Sequence, residues 1–235
     1  MIRIVKRSIR KLIPRTVRAQ LKNLYILAFK YNQLKTIKNW ECVDKNGEPI
    51  PWFTYPAVEY LSTLEFSEKN VFEYGGGYST LFWAGRAKLI ISVENDYNWY
   101  IKIKSMIKEN ERVKLLFRDQ KDSYVNSILE EPIIFDIVVI DGRWRGDCVK
   151  VIGEKVNKKE GFMIILDNSD WYPKTAKFLR EEFDMIQVDF HGFGPINGYT
   201  WTTSIFFSRN FQIKFKKEQL YSIGAIKQLA EDDIS

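Results

Sequence analysis

Asp141, Arg143 and the pair Asp167-Asn168 are the side chains of this chain best placed for chemistry. The two acid positions close apolar runs, Ile133 to Ile140 and Phe162 to Leu166. A carboxylate at the end of a buried strand can take the proton of an acceptor hydroxyl as a general base. Two carboxylates and an amide oxygen are also hard ligands suited to Mg²⁺, so Asp141, Asp167 and Asn168 form a candidate metal set. A third use is structural, since Asp and Asn commonly cap helices and form turns. All three uses stay open. His191, the only histidine, lies in Asp189-Phe-His-Gly-Phe-Gly-Pro-Ile-Asn-Gly198. It is a candidate general base near neutral pH, against the plainer alternative of a surface position in a hairpin loop. The glycines and the proline of that connector predict a shaped turn closing one side of an acceptor pocket.

A second group of residues is suited to binding. Val71-Phe-Glu-Tyr-Gly-Gly-Gly-Tyr-Ser-Thr80 has an apolar entry, an acid, three glycines and two hydroxyls. It predicts a strand, a glycine turn and a helix start, and such a turn lets backbone approach a ligand closely. Leu89 to Val93 predicts the next strand, with Glu94 at its end, where an acid can accept both hydroxyls of a ribose. A third strand, Arg112 to Phe117, ends at Arg118-Asp119. A dinucleotide fingerprint would need a third glycine where Thr80 stands, and Glu73 would face a pyrophosphate with like charge. An acid there suits a cofactor with positive charge and no phosphate. S-adenosylmethionine, with its sulfonium and ammonium, is such a cofactor.

Glu73-Tyr-Gly-Gly-Gly-Tyr-Ser-Thr80 followed by Glu94 resembles the cofactor motif of class I S-adenosylmethionine-dependent methyltransferases, over roughly residues 52–208. The resemblance implies a seven-stranded sheet with helices on both faces and an antiparallel last hairpin. It implies that Glu73 and the backbone of Gly75, Gly76 and Gly77 hold the methionine part, with Ser79, Thr80 and Asp119 as further cofactor residues and Glu94 on the ribose. Asp141 and Asp167-Asn168 resemble the Asp and Asp-Asn of metal-dependent catechol-type O-methyltransferases. Ile140-Asp-Gly-Arg-Trp-Arg145 also resembles strand-four motifs of saccharide-directed methyltransferases, in which the Asp and following Arg line the acceptor site. The expectation is O-methylation of a saccharide or other small hydroxylated acceptor, with Asp141, Arg143 and His191 as catalytic candidates. An oxidoreductase using NAD(P) and a non-catalytic membrane-associated scaffold are the rivals.

The rest of the chain must position these residues. Helical patterns at Asn98–Asn110, Ser123–Leu129, Asp147–Asn157 and Lys174–Phe183 alternate with the apolar runs, and Met185–Phe190 and Thr200–Phe207 form a closing strand pair. That alternation predicts a doubly wound, mostly parallel α/β sheet. Length and 45% apolar content suit one such domain, over 49–210, with an extension at 1–48 and a tail at 211–235. Ahead of the first strand, Trp52 and Tyr55 are candidates to stack on a ligand, and Phe53 reads as an anchor. Cys42 and Cys148 show no metal or disulfide spacing, which suits a cytoplasmic setting.

The net charge of +6 is unevenly spread. Residues 1–40 hold eleven Lys or Arg and no acid, leaving 25 basic and 30 acidic residues beyond, a balance of −5. No basic groove is expected across the domain, which argues against nucleic acid as partner. Ile2, Val5, Ile9, Leu12 and Ile13, then Val17, Leu21, Leu24, Leu27 and Ala28, recur at helical spacing among the cations, with Pro14 between the two runs. Residues 1–30 can thus contact a membrane surface or pack on the domain with their charges solvated.

Overall fold

The computed structural model describes residues 13–107, 109–216, 221–226, 228 and 230. The predicted amphipathic run before Ile13 lies outside the described residues. Pro14 precedes helix α1, Arg15–Tyr25, as its fixed φ favours, and a π-helical turn, Ile26–Lys30, continues it. Helix α2, Gln33–Asn39, and helix α3, Tyr55–Ser62, lead into strand β1, Asn70–Tyr74. Next come helix α4, Tyr78–Ala84, strand β2, Leu89–Glu94, helix α5, Tyr97–Ile107, and strand β3, Val113–Phe117. The second half runs through helix α6, Lys121–Val125, strand β4, Ile137–Ile140, helix α7, Arg145–Val151, and strand β5, Met163–Leu166. Helix α8, Pro173–Glu182, and strands β6, Ile186–Gly192, and β7, Trp201–Phe207, complete it.

The seven strands lie in the order β3-β2-β1-β4-β5-β7-β6, parallel except for β7, which is antiparallel to both its neighbours. This is the doubly wound sheet with a closing antiparallel hairpin that the alternation predicts. Successive strand residues point to opposite faces, so each strand feeds two cores. Ile137 and Val139 of β4 join one core with Phe53, Leu61, Phe82 and Trp83, while Val138 and Ile140 join the other with Tyr124, Cys148 and Leu179. All four β4 residues are fully buried, each contributing roughly 1.5–3 kcal/mol. Strand order reverses between β1 and β4, which opens a crevice at their carboxyl ends.

The differences from expectation are local. Strand β4 starts at Ile137 rather than Ile133, since Pro132 and the turn after it leave Ile133 and Ile134 unpaired with β1. Strand β6 runs on to Gly192, so His191 sits in the ladder opposite Thr202 rather than in the connecting loop. Among the described residues, no helix is long and apolar enough to cross a membrane.

Candidate functional site

The glycine turn after β1 is shaped by what it touches. Gly75 has φ +94°, and a Cβ there would come within 2.6 Å of the Gly142 backbone. In return, a Cβ on Gly142 would meet Tyr124 Oη at 2.0 Å and the Gly75 nitrogen at 2.8 Å. The turns after β1 and β4 therefore lie backbone against backbone. A Cβ on Gly76 would strike Ser92 Oγ at 2.9 Å. Gly77 differs: the nearest atom to an added Cβ is 3.8 Å away, so no neighbouring protein atom demands a glycine there. Its bare backbone forms part of the wall of a cavity of about 590 Å³.

That cavity lies at the β1/β4 crevice and gathers residues from both halves of the sheet. Gly75, Gly76, Gly77, Ser79 and Glu94 come from the first half, and Asp141, Gly142, Arg143, Arg145, Asp167 and Asn168 from the second. Glu94 is buried, and its Oε1 accepts the N–H groups of Asn95 and Asp96, each at 2.7 Å. Burial raises its pKa, opposed by backbone N–H groups of Asp96, Asn95 and Gly76. Trp99 on α5 donates its indole N–H to Gly76 O at 2.7 Å and fixes the turn from the side.

Glu73 and Thr80 are in a different position from the cavity-lining glycines. Both are fully buried and neither lines the cavity. Glu73 Oε2 accepts hydrogen bonds from Thr80 Oγ1 and from Ser92 Oγ, the latter at 2.7 Å, while Thr80 Oγ1 accepts the Gly77 N–H at 2.9 Å. Burial pushes the Glu73 carboxyl up to about 7 against the nearby hydroxyls of Ser79, Thr80 and Ser92, and its Oε1 has no hydrogen-bond partner. These residues brace the glycine turn through hydrogen bonds, and the structure does not place Glu73 on the cavity wall. Asp119 is exposed beyond edge strand β3 and does not line the cavity. That strand is the edge of the sheet on the β1–β2 side. His191 is exposed on edge strand β6, with Nδ1 2.8 Å from Thr202 Oγ1, and is also absent from the cavity wall. The structure thus does not bring it together with the cavity residues.

Arg145 is the residue that sequence reasoning passed over. It opens α7, is buried, and donates into every neighbouring acceptor. Nε bonds Gly142 O at 2.9 Å, Nη2 bonds Asp141 O at 2.7 Å and Asp141 Oδ1 at 3.0 Å, and Nη1 bonds Asp167 O and, at 3.2 Å, Asn168 Oδ1. Its guanidinium also lies 4.9 Å from the Tyr172 ring. The signal available in the sequence was the i,i+4 spacing of Asp141 and Arg145 at a helix start. Arg143, the arginine singled out instead, is exposed and lines the cavity beside Asp141.

Burial lifts the Asp141 carboxyl to about 6, with Arg145 lowering it and Glu94 raising it further. Asp167 is pushed well up by burial and then by Asp141, while Thr203 Oγ1 at 2.5 Å and Trp201 Nε1 at 3.0 Å donate to its Oδ1. Aromatic side chains complete the cavity: Trp40, Trp52, Trp99, Trp171, Tyr199 and Trp201. The connector between β6 and β7 supplies Ile196, Asn197 and Tyr199, as its glycine and proline content suggested. Trp52 lines the cavity, whereas Tyr55 does not and Phe53 is wholly buried as an anchor.

Two solved structures are similar to this chain in fold. A protein of Klebsiella pneumoniae provisionally named an O-methyltransferase aligns at 15% identity and TM-score 0.52, over 80% of this chain and 96% of its own. Precorrin-6y C5,15-methyltransferase of Geobacter metallireducens aligns at 14% identity and TM-score 0.50, over 65% and 86%. The chain has the class I methyltransferase fold. No protein-family model and no curated protein matches it.

Within this methyltransferase fold, one oxygen of each residue expected to take Mg²⁺ already accepts a hydrogen bond. Asp141 Oδ1 and Asn168 Oδ1 accept from Arg145, and Asp167 Oδ1 accepts from Trp201 and Thr203. A guanidinium stands among the three side chains, and a dication beside it would meet like charge at close range. Arg145 thus competes with a metal for this donor set.

Proposed function

We propose that this chain is an S-adenosylmethionine-dependent methyltransferase acting on a hydroxyl of a saccharide or other small acceptor. The observation that carries the reading is one cavity with two unlike walls. Bare glycine backbone and a buried acid form one side, and a carboxylate with raised pKa forms the other. Gly75, Gly76 and Gly77 would hold the methionine part by close backbone approach, and Glu94 would accept the ribose hydroxyls. When bound, the cofactor supplies a methyl carbon made electrophilic by its sulfonium.

The remaining work falls to this chain's own side chains. Asp141 takes the acceptor hydroxyl's proton, and a pKa near 6 leaves it ionised at neutral pH yet basic enough to act. Arg145 holds Asp141 in place through its carbonyl and carboxylate together. Alignment of acceptor and methyl group is the main demand of the reaction, and that alignment needs a fixed base. The exposed faces of Trp40, Trp171 and Tyr199 suit the apolar face of a sugar ring, which favours a saccharide among small hydroxylated acceptors.

Calorimetric titration with S-adenosylhomocysteine, beside NAD and NADP, tests the cofactor reading. Binding of S-adenosylhomocysteine alone, weakened at least about tenfold by Glu94→Gln, is expected. Binding of a dinucleotide instead, or of none of the three, overturns it. With the acceptor found, the rate of transfer should rise as pH passes through about 6, and Asp141→Asn should remove both the rise and most of the rate.

A further inference from the structure

Helix α1 buries none of its residues. Val17, Leu21 and Leu24 fall on one stripe of it, and all three are exposed, with Leu24 at 61%. Arg15, Arg18 and Lys22 fall outside that stripe. The exposed apolar residues continue in Phe29 of the π-helical turn, then in Leu34 and Ile37, three apart on one face of α2. They end at Trp40, 56% exposed, which also lines the cavity described above. Charge along the same segment is of one sign, with six Lys or Arg and no acid in residues 15–40.

We propose that this face docks on an anionic membrane surface. Aliphatic side chains beside cations meet both halves of such an interface, with apolar burial at the acyl boundary and attraction to acidic headgroups. Even with its π-helical continuation to Lys30, α1 is not long and apolar enough to cross a membrane, so the docking proposed has it lie in the plane of the surface. Nucleic acid would satisfy the cations but leave Val17, Leu21, Leu24 and Phe29 in water. A second copy packed about a two-fold axis would bring like charges together, because the segment has no acid to answer its own arginines and lysines.

The test is flotation of the full chain with phosphatidylcholine vesicles, with and without phosphatidylglycerol. The expected result is flotation with the anionic vesicles only, weakened at high salt. The double substitution Leu21→Glu, Leu24→Glu should lower partitioning at least about tenfold, and Arg18→Glu, Lys22→Glu should do the same. Thermal unfolding and S-adenosylhomocysteine affinity serve as controls, and neither should change, since all four residues are exposed and lie outside the cavity. Failure to float with anionic vesicles overturns the proposal. So does equal flotation of the charge-reversed protein, a dimer abolished by the leucine substitutions, or binding to an oligonucleotide without binding to vesicles.

Discussion

The two walls of the cavity are built from different material. On the β1–β2 side the wall includes three successive glycines, and the polar side chains that support their turn, Glu73, Thr80 and Ser92, are buried and do not line the cavity. On the β4–β5 side the surface is side chain, and one guanidinium joins Asp141, Gly142, Asp167 and Asn168. Damage on the first side should therefore stay local unless it touches the turn's own packing. Damage on the second should spread, because Arg145 is shared by every member of the network.

The largest expected effect breaks the shared side. Arg145→Met leaves buried acceptors from four residues unanswered and should cost about 3–5 kcal/mol in urea unfolding, with Arg145→Lys recovering only part of it. A Met variant of wild-type stability would show that the network is decoration. On the first side, Gly75→Ala meets both a positive φ and a 2.6 Å contact, and should cost about 2 kcal/mol or more. Gly77→Ala has room in the protein, so its unfolding should be near wild type while S-adenosylhomocysteine affinity falls about tenfold. Equal destabilisation by the two alanines would erase the distinction drawn between these glycines.

Glu73 sharpens the comparison through pH. Its folded pKa of about 7 lies above the ordinary carboxyl value of 4.5, so the folded state holds a proton that the unfolded chain releases between those values. Stability should fall as pH rises through that window, and the full penalty stands above it. Glu73→Gln should flatten that slope and add about 2 kcal/mol of stability above the window, measured by urea unfolding on both sides of it. A slope unchanged by the substitution would assign it to another group. The smallest effect belongs to His191→Ala, which should alter unfolding by no more than about 0.5 kcal/mol and leave transfer unchanged.

The first wall was more legible in the sequence than the second for a physical reason. A glycine turn between strand and helix is a local pattern, and the acid at the next strand end follows at a fixed interval, so Gly75, Gly76, Gly77 and Glu94 could be read along the chain. The fold followed from alternation of buried runs with helical ones, again a local property. Arg145 gains its role only when β4 and β5 lie side by side, since its acceptors come from the ends of both. The aromatic lining was hidden in the same way, with Trp40, Trp99, Trp171 and Tyr199 coming from four separate segments. The partners of Glu73 could not be read from its position in the motif either, since Ser92, one of the two hydroxyls it accepts from, comes from the neighbouring strand.

The meeting of Gly75 with Gly142 ties the two halves of the molecule at the base of the cavity. A side chain on either glycine would collide with backbone of the other turn, and Gly75 N–H is further held by Val93 O at 2.9 Å. The base is therefore a fixed joint with no hinge in it. Opening to admit or release a molecule falls to the aromatic rim, where Trp40, Trp171 and Tyr199 stand half-exposed on separate stretches of chain. Turnover in such a molecule would be paced from the top of the cavity, while the amides at its base exchange with solvent as slowly as those of the sheet itself.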